Sequence, residues 1–568
     1  MLKRYSLTII ALFFSLSAFA QTEVNVANAD LVAGQDYTWT KDKVYILTEM
    51  VFVKPGTKLT IDAGTVIKGN LGDGNDATGL VVTQDAQIFA EGTAEEPIIF
   101  TSAEDDLAGS LTELDRGLWG GLVVLGRAST NNATEDGTKL IEGVNEIANP
   151  ESYALYGGST DDDNSGVIRY VSIRHTGINV GDVAGNEIQG LTLGGVGSGT
   201  TIEYVESFAS NDDGFEFFGG TVNTKYLVSA FNTDDAFDWD EGFRGNHQFW
   251  FAIQSPGNVN DGYGRAGEMD GATGNENTEP FAHPVVVNAT FLGAGQSATP
   301  NAGDGKQLLL FRDNTGGEYY NSIFSDHAGL AIEVEAAGKV SGFDSKTRLL
   351  NGDLLLENNL WYGFGAGNTI AEFAAGDDQQ HTRDYLSDVA NANRVADPML
   401  TGISRTAGSK ELDPRPKAGS AALEASAVKT VDGEFFTATN YVGAFAPNNL
   451  WIQNWTALEA YGYVSQVAVS NENDRNTSIP TAIQLDQNYP NPFNPTTNIS
   501  FSLPSTQKVT LKVYDMLGRE VATLLNNKQF SAGEASVTFD ASSLSSGVYL
   551  YRLTGSNLSL LKKMTLIK

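Results

Sequence analysis

The sequence predicts an all-β protein, in which a right-handed parallel β-helix, a solenoid, is followed by a small immunoglobulin-like β-sandwich. The first observation is an internal repeat: residues 204–217 resemble residues 226–239, with an offset of 22 at every matched position. The second is that apolar and polar residues alternate in both copies, as on a strand with one buried face. The third is a change of composition near residue 485. Repeats of this length are typical of solenoids, and parallel crossovers favour the right hand.

Residues 1–20 are predicted to be a secretory signal peptide. Lys3 and Arg4 form a basic start, residues 7–16 are apolar, and residues 18–20 read Ala-Phe-Ala, a small-residue cleavage signal. The apolar stretch falls well short of the roughly 20 residues that a membrane span needs. No other segment is long and apolar enough, so we expect an exported protein without a transmembrane anchor.

The composition excludes several classes of function. The chain has 568 residues, no Cys and a net charge of −34, which the middle of the chain carries because both ends hold more basic than acidic residues. Thiol chemistry and disulfides are therefore excluded. Nucleic acids and anionic membranes require a basic face, so neither is expected as a partner.

Residues 21–464 are predicted to be the β-helix domain, with loop insertions and a C-terminal cap. Residues 55–69 (PGTKLTIDAGTVIKG) and residues 90–102 (AEGTAEEPIIFTS) resemble the opening coils of exported right-handed β-helix proteins. Residues 127–166 are polar and are expected to form an insertion. The aromatic-rich end of the domain is expected to cover the last coils. Trp119, between glycines, is expected in the core, although it could also serve as a platform for a sugar ring.

A polar linker is predicted over residues 465–484, and a sorting domain over residues 485–568. The segments QNYPNPFNPTT, VYDMLGREV, SAGEASVTFDASSLSSGVYLYRL and KKMTLIK resemble the C-terminal sorting domain of the type IX secretion system. This resemblance implies that residues 485–568 are recognised by the type IX secretion machinery of a Bacteroidota-like bacterium. It also implies removal of this domain and a secreted location, either extracellular or on the outer-membrane surface.

The repeated segment stacks carboxylates from adjacent coils about 4.8 Å apart. Two unit charges at this distance repel by roughly 3.5 kcal/mol at an effective dielectric of 20. Such a ladder is tolerated if water solvates it or if a cation lies in it, and Asp also favours water-facing turns. Carboxylates on a flexible turn suit Ca²⁺, for which the expected ligands are Asp212, Asp213, Asp234 and Asp235. The candidate ligand-binding residues are Asp212, Asp213, Glu216, Asp234, Asp235, Asp238, Asp240, Glu241, Arg244 and His247.

Two hypotheses for the function follow. The chain contains no nucleotide-binding loop, HExxH or GxSxG, its five His have no metal-ligand spacing, and no catalytic residue is assigned. The first hypothesis is a non-catalytic adhesin or polysaccharide-binding protein whose partner is an extracellular glycan. The alternative is a Ca²⁺-dependent lyase, with Arg244 or His247 as the base, or a glycoside hydrolase that uses two stacked carboxylates.

Overall fold

A computed structural model describes residues 21–567, except for residues 132–136, 145–146, 149, 182–186, 257–262, 273, 300–302, 304, 466–483, 486–487, 489–490, 492, 504–506, 531–532, 543 and 556–557. The chain divides into two compact units, Met1–Gln466 and Val467–Lys568. The predicted signal peptide and nearly all of the predicted linker lie outside the described residues.

The first unit is a right-handed parallel β-helix, which confirms the predicted fold class. One wall, called here the narrow sheet, takes one strand from each coil, and all of its strands pair in parallel. Its strands are Met50–Val53, Gly79–Val82, Leu122–Leu125, Leu191–Gly194, Phe215–Phe218, Phe237–Asp240, Gly267–Asp270, Gln307–Arg312 and Leu330–Val334.

The remaining walls form a second parallel sheet, called here the wide sheet, to which each coil gives one long strand or two short ones. Its strands are Thr22–Val26, Tyr37–Trp39, Lys43–Leu47, Lys58–Ile61, Val66–Gly69, Gln87–Glu91, Ile98–Ser102, Gly166–Arg174, Thr201–Phe208, Asn223–Ala230, Asn246–Gln248, Phe251–Ile253, Val285–Val287, Thr290–Leu292, Gly317–Tyr320, Ile323–His327, Leu354–Glu357, Leu360–Phe364 and Arg394–Val395.

The repeat seen in the sequence is one coil of the solenoid. Phe215 pairs with Phe237, and Glu216 with Asp238, so residues 22 positions apart lie side by side on adjacent strands. The apolar residues of the alternation point inward, where the Phe215 and Phe237 rings stack 5.3 Å apart. Trp119 is also fully buried in this core, as expected.

Shorter elements cover the walls of the solenoid. The insertion after the strand Leu122–Leu125 folds partly into a hairpin and packs on the narrow sheet through Ile141, Val144 and Tyr156. The small strand pairs are Lys139–Leu140 with Leu155–Tyr156, Ile178–Asn179 with Glu187–Ile188, and Leu400–Gly402 with Asp413–Pro416. The α-helices are Ser345–Asn351, Ile370–Phe373, Gln380–Ser387 and Ala457–Ala460, and the 3-10 helices are Asn28–Asp30, Glu151–Ala154, Val389–Asn391, Ala421–Leu423 and Ala425–Ala427.

The end of the first unit packs on the wide sheet from the strand Gly166–Arg174 to the strand Leu360–Phe364. The rings of Tyr170, Tyr204 and Tyr226 stack at 4.3 Å on successive coils, and Trp451 and Trp455 pack edge-on against them. The predicted aromatic cap therefore covers a side wall of the solenoid.

The second unit is a small antiparallel β-domain with two sheets, as predicted. Phe501, Leu511 and Tyr551 are fully buried in its core. One sheet holds Gln484–Leu485, Thr496–Leu503 and Gly533–Asp540, and the other holds Gln507–Asp515, Glu520–Phe530, Gly547–Gly555 and Leu558–Leu566. In the described part of the chain, no helix has the length and apolar character needed to cross a bilayer.

Candidate functional site

The outer face of the narrow sheet carries a row of carboxylates, called here the acidic face. Because side chains alternate along a strand, burial of Phe215 and Phe217 turns Glu216 outward. The strand register places Glu216 beside Asp238, and Asp238 beside Glu268. Three successive coils therefore present an acid at the same position of the sheet.

The acids that precede these strands connect one coil to the next. Asp213 Oδ1 accepts a hydrogen bond from the Asp235 amide at 2.8 Å, and Asp235 Oδ1 accepts one from the Arg265 amide at 2.5 Å. Asp213 is only 6% exposed and Asp235 only 1%. Each of these carboxylates therefore has one oxygen committed to holding the turn, and neither is solvated as a water-facing turn would be.

Three oxygens of the acidic face are buried without a hydrogen-bond donor among the described residues, Oε2 of Glu216, Oδ1 of Asp238 and Oε1 of Glu268. Glu268 Oε1 nevertheless lies 3.0 Å from Arg265 and 3.2 Å from Arg312, so the two oxygens that also lack an ion pair are those of Glu216 and Asp238. Glu216 is 8% exposed. Carboxylate oxygens of Asp213, Glu216 and Asp238 lie within 4.8 Å of one another. A buried oxygen without a donor, among like charges, costs free energy unless a cation or a proton reaches it.

The remaining predicted Ca²⁺ ligands lie beside this cluster. Carboxylate oxygens of Asp212, Asp213 and Asp234 also lie within 4.8 Å of one another, and Asp212 and Asp234 are partly exposed. In a third group, carboxylate oxygens of Asp235, Asp238 and Glu268 lie within 4.8 Å of one another.

Burial and mutual repulsion favour the protonated form of these acids. Burial, followed by the charges of Glu187 and Asp234, raises the pKa of Asp212 to about 8. Burial also raises the pKa of Glu216 and of Asp238 well above the usual range, and neighbouring acids add to the shift. The acidic face therefore binds either protons or another positive charge.

Two arginines neutralise the acids on the following coils. Arg265 lies 3.3 Å from Asp235 and 3.0 Å from Glu268. Arg312, paired in register with Asp270, contacts that carboxylate at 2.8 Å and Glu268 at 3.2 Å. The Asp213, Glu216 and Asp238 carboxylates make no ion pair among the residues that the structure describes.

The insertion closes one side of the acidic face. Lys139 forms an ion pair with Glu241, and the Tyr156 hydroxyl donates to the other oxygen of Glu241 at 2.6 Å. Glu241 is thereby buried and paired, whereas its neighbour Asp240 stays partly exposed on the sheet. Glu142 of the same insertion is exposed, although local desolvation by the surrounding atoms raises its pKa.

The structure does not bring the two basic candidates into this cluster. Arg244 reaches the insertion, where it donates to Ser129 Oγ at 2.7 Å and lies 3.6 Å from Asp161. His247 is fully buried in the core. Its ring packs on Trp250, and its Nδ1 lies 3.0 Å from Thr224 Oγ1.

Several charged residues on or beside the acidic face are absent from the candidate ligand-binding residues predicted from the sequence. They are Glu142, Glu268, Asp270, Arg265, Arg312 and Lys139. Alternation within residues 267–270 (Gly-Glu-Met-Asp) is the signal that could have placed Glu268 and Asp270 on the outer face. Residues 308–311 are all apolar, so no alternation marks the position of Arg312. Lys139 and Glu142 come from an insertion without any repeat, so no pattern could have placed them.

Comparison with known families agrees with this architecture. The family described as the secretion system C-terminal sorting domain matches residues 487–568. The protein is therefore exported by type IX secretion to the cell surface or the extracellular space, and its second unit interacts with that secretion machinery. No curated protein and no solved structure matches the chain significantly.

The family described as the pectate-lyase like beta helix domain matches residues 31–394, well over half of the chain. This match spans every strand of the narrow and wide sheets except the first, Thr22–Val26, and the end of the last, Arg394–Val395, and it includes the whole acidic face. The chain therefore belongs to the pectate-lyase-like β-helix family.

Proposed function

We propose that the protein is a non-catalytic polysaccharide-binding protein or adhesin of the cell surface or extracellular space, and that its acidic face binds Ca²⁺. The observation that carries this proposal is the pair of buried, donor-free oxygens on Glu216 and Asp238. With Asp213 they form a compact set of carboxylate ligands.

The ligand chemistry favours Ca²⁺ over other cations. Ca²⁺ takes six to eight oxygen ligands in flexible geometry, whereas Zn²⁺ prefers His and Cys. The chain has no Cys, and His247 faces the core. Asp213, Glu216 and Asp238 would hold the ion, with Asp212 and Asp234 at the more exposed end of the cluster.

A cation at this position offers a mode of glycan binding. Asp238 is partly exposed, so coordination positions of a bound ion would face the solvent. Hydroxyl or carboxylate oxygens of an extracellular polysaccharide could fill them. This mode is compatible with the export of the protein and with the long regular wall of the solenoid.

The alternative is a Ca²⁺-dependent polysaccharide lyase, which the family match favours. A lyase needs a neutral basic group to remove a proton. The hydrogen bond and the charge of Asp270 raise the pKa of Arg312, and Arg265 is buried between two carboxylates. Arg312 is thereby held protonated and Arg265 is committed to two ion pairs, which argues against proton abstraction by either. A glycoside hydrolase is opposed by the burial of Glu216, because a sugar ring must reach the catalytic acid.

The proposal is tested by isothermal titration of Ca²⁺ into the full chain, followed by glycan-array binding with Ca²⁺ and with EDTA. We expect Ca²⁺ binding that is lost in the double variant Glu216→Gln, Asp238→Asn and kept in Asp432→Asn, a control that alters one exposed acid. Glycan binding on the array should be stronger in Ca²⁺ than in EDTA. Release of unsaturated oligosaccharides from an acidic polysaccharide would establish the lyase instead, and glycan binding that is unchanged by EDTA would refute the role of the cation.

A further inference from the structure

A cavity of about 330 Å³ lies outside the acidic face, between the wide sheet and the segment that follows it. We propose that this cavity binds a single sugar ring of a neutral polysaccharide, an inference that rests on the polysaccharide-binding role proposed above. The side chains that carry the argument are Gln296, Asp326, Tyr362, Asp397, Met399 and Lys417. The volume is within the range of small-molecule sites.

The lining combines the two kinds of contact that a sugar ring needs. A pyranose presents a face of C–H groups and a rim of hydroxyls that both donate and accept hydrogen bonds. Tyr362 and Met399 supply apolar surface, and Met399 is 39% exposed. Asp397 accepts hydrogen bonds from hydroxyls, and Lys417 donates to them.

The wall opposite the sheet is fixed by Arg405, whose side chain is 12% exposed. The Arg405 guanidinium contacts Asp326 at 2.9 Å and donates to the carbonyl of Gln254 at 2.8 Å. Arg405 therefore ties the segment to two separate coils. A cavity with fixed walls loses little conformational entropy when a ligand binds.

Met399 is held in an uncommon backbone conformation at the edge of the cavity. Its φ of 48° lies in the left-handed region, which residues with a side chain rarely adopt. Its amide donates to Asp397 Oδ1 at 2.7 Å, and its carbonyl accepts from the Lys417 amide at 2.9 Å. Such strain persists where the surrounding structure imposes it, and it is frequent at ligand sites.

The charges of the lining favour a neutral ligand. The charge of Asp326 is balanced by Arg405, and the exposed Asp397 and Lys417 carry opposite signs. The two acids are therefore matched by two bases, and the cavity offers no net attraction to a polyanion such as a uronate polymer. This cavity therefore takes a different part of the glycan from the part that the acidic face takes.

Saturation-transfer NMR tests the inference with the methyl glycosides of glucose, galactose, mannose and N-acetylglucosamine. The measurement uses the full chain in EDTA, so that no cation occupies the acidic face. We expect saturation transfer to the ring protons of at least one glycoside. Its dissociation constant should increase at least fivefold in Tyr362→Ala and in Asp397→Asn, in which the amide oxygen can still accept from the Met399 backbone.

A control variant and the use of EDTA keep the two proposals separate. Asp432→Asn changes an exposed acid that does not line the cavity, so binding of the glycoside should be the same as in the unmodified chain. If Tyr362→Ala fails to fold, the dissociation constants of the glycoside for Asp397→Asn and Lys417→Gln still test the inference. Absence of transfer from the folded chain to all four glycosides, or equal transfer in these cavity variants, would overturn the inference without bearing on Ca²⁺ binding.

Discussion

Glu216 and Asp238 occupy matching positions on adjacent strands, and each has one buried carboxylate oxygen without a hydrogen-bond donor among the described residues. A polar atom that is buried in this way destabilises the folded state unless something compensates for it. The predictions about cation binding and pH that follow depend on this pair.

The double variant Glu216→Gln, Asp238→Asn is expected to stabilise the metal-free protein and to remove its response to Ca²⁺. Burial raises the folded pKa of both acids, so their charged forms destabilise the metal-free fold. Replacing both by neutral amides should add about 1–3 kcal/mol at pH 7, the usual cost of a buried polar atom without a partner. Calorimetry in EDTA and in Ca²⁺ measures both effects. Asp432→Asn is the control. A melting temperature that rises equally with Ca²⁺ in the double variant and in the unmodified chain would exclude these two ligands.

Metal-free protein is expected to lose stability as the pH rises from about 4 to about 8. Asp212 has a folded pKa of about 8 and an unfolded pKa near 3.8, so the folded state binds more protons across this window. Stability then falls with increasing pH, which is opposite to the effect of a salt-bridged carboxylate. Denaturant unfolding at several pH values checks the slope. Saturating Ca²⁺ should flatten it, since the ion replaces the protons, and a slope unaffected by Asp212→Asn would contradict the assignment.

His247→Leu is expected to be less destabilising at pH 4 than at pH 7. Burial lowers the pKa of His247 to about 3 from a usual 6.5, so the folded state keeps this ring neutral while the unfolded state takes up a proton. This difference costs the unmodified protein about 3 kcal/mol at pH 4 and little at pH 7. Comparison of unfolding free energies at the two pH values measures it. Binding of Ca²⁺ should be unchanged, because the ring lies in the core.

Asn321→Ala is expected to loosen the segment that covers the wide sheet. Asn321 Nδ2 donates to the Lys429 carbonyl at 2.9 Å, and its Oδ1 accepts from the Lys429 amide at 2.8 Å. Loss of these bonds, together with the cost of Ala at a φ of 53°, should total about 3 kcal/mol. Thermal unfolding and proteolysis of the segment are the measurements. Asn25→Ala, at an exposed strand position, should have little effect, and equal effects of the two variants would refute the role of Asn321.

The solenoid was predictable from the sequence because the pattern that specifies each coil is short-range and repeats along the chain. The 22-residue offset between Phe215 and Phe237 fixed the coil length, and alternation fixed which side chains enter the core. The same alternation placed Glu216 and Asp238 together on the outer face. The sorting domain was predictable for a different reason, since its segments resemble a known family, and the family match confirms it.

The exact composition of the acidic face required the tertiary structure. Arg244 and His247 follow the repeat closely in sequence, yet one reaches the insertion and the other enters the core. Glu241 is paired with Lys139 from an insertion about 100 residues earlier, a contact that no spacing encodes.

The sequence by itself determined the coil, its repeat and the route of export, because those depend on short-range patterns and on motifs. Only the tertiary structure decided which carboxylates keep a donor-free oxygen, because that depends on what each coil, insertion and cap brings within hydrogen-bond distance. Asp235 receives hydrogen bonds from Arg265, whereas Glu216 Oε2 receives none from the described residues. Packing across coils therefore decides whether a carboxylate is used to hold the fold together, as Asp235 is, or keeps an oxygen that could bind a cation, as Glu216 does.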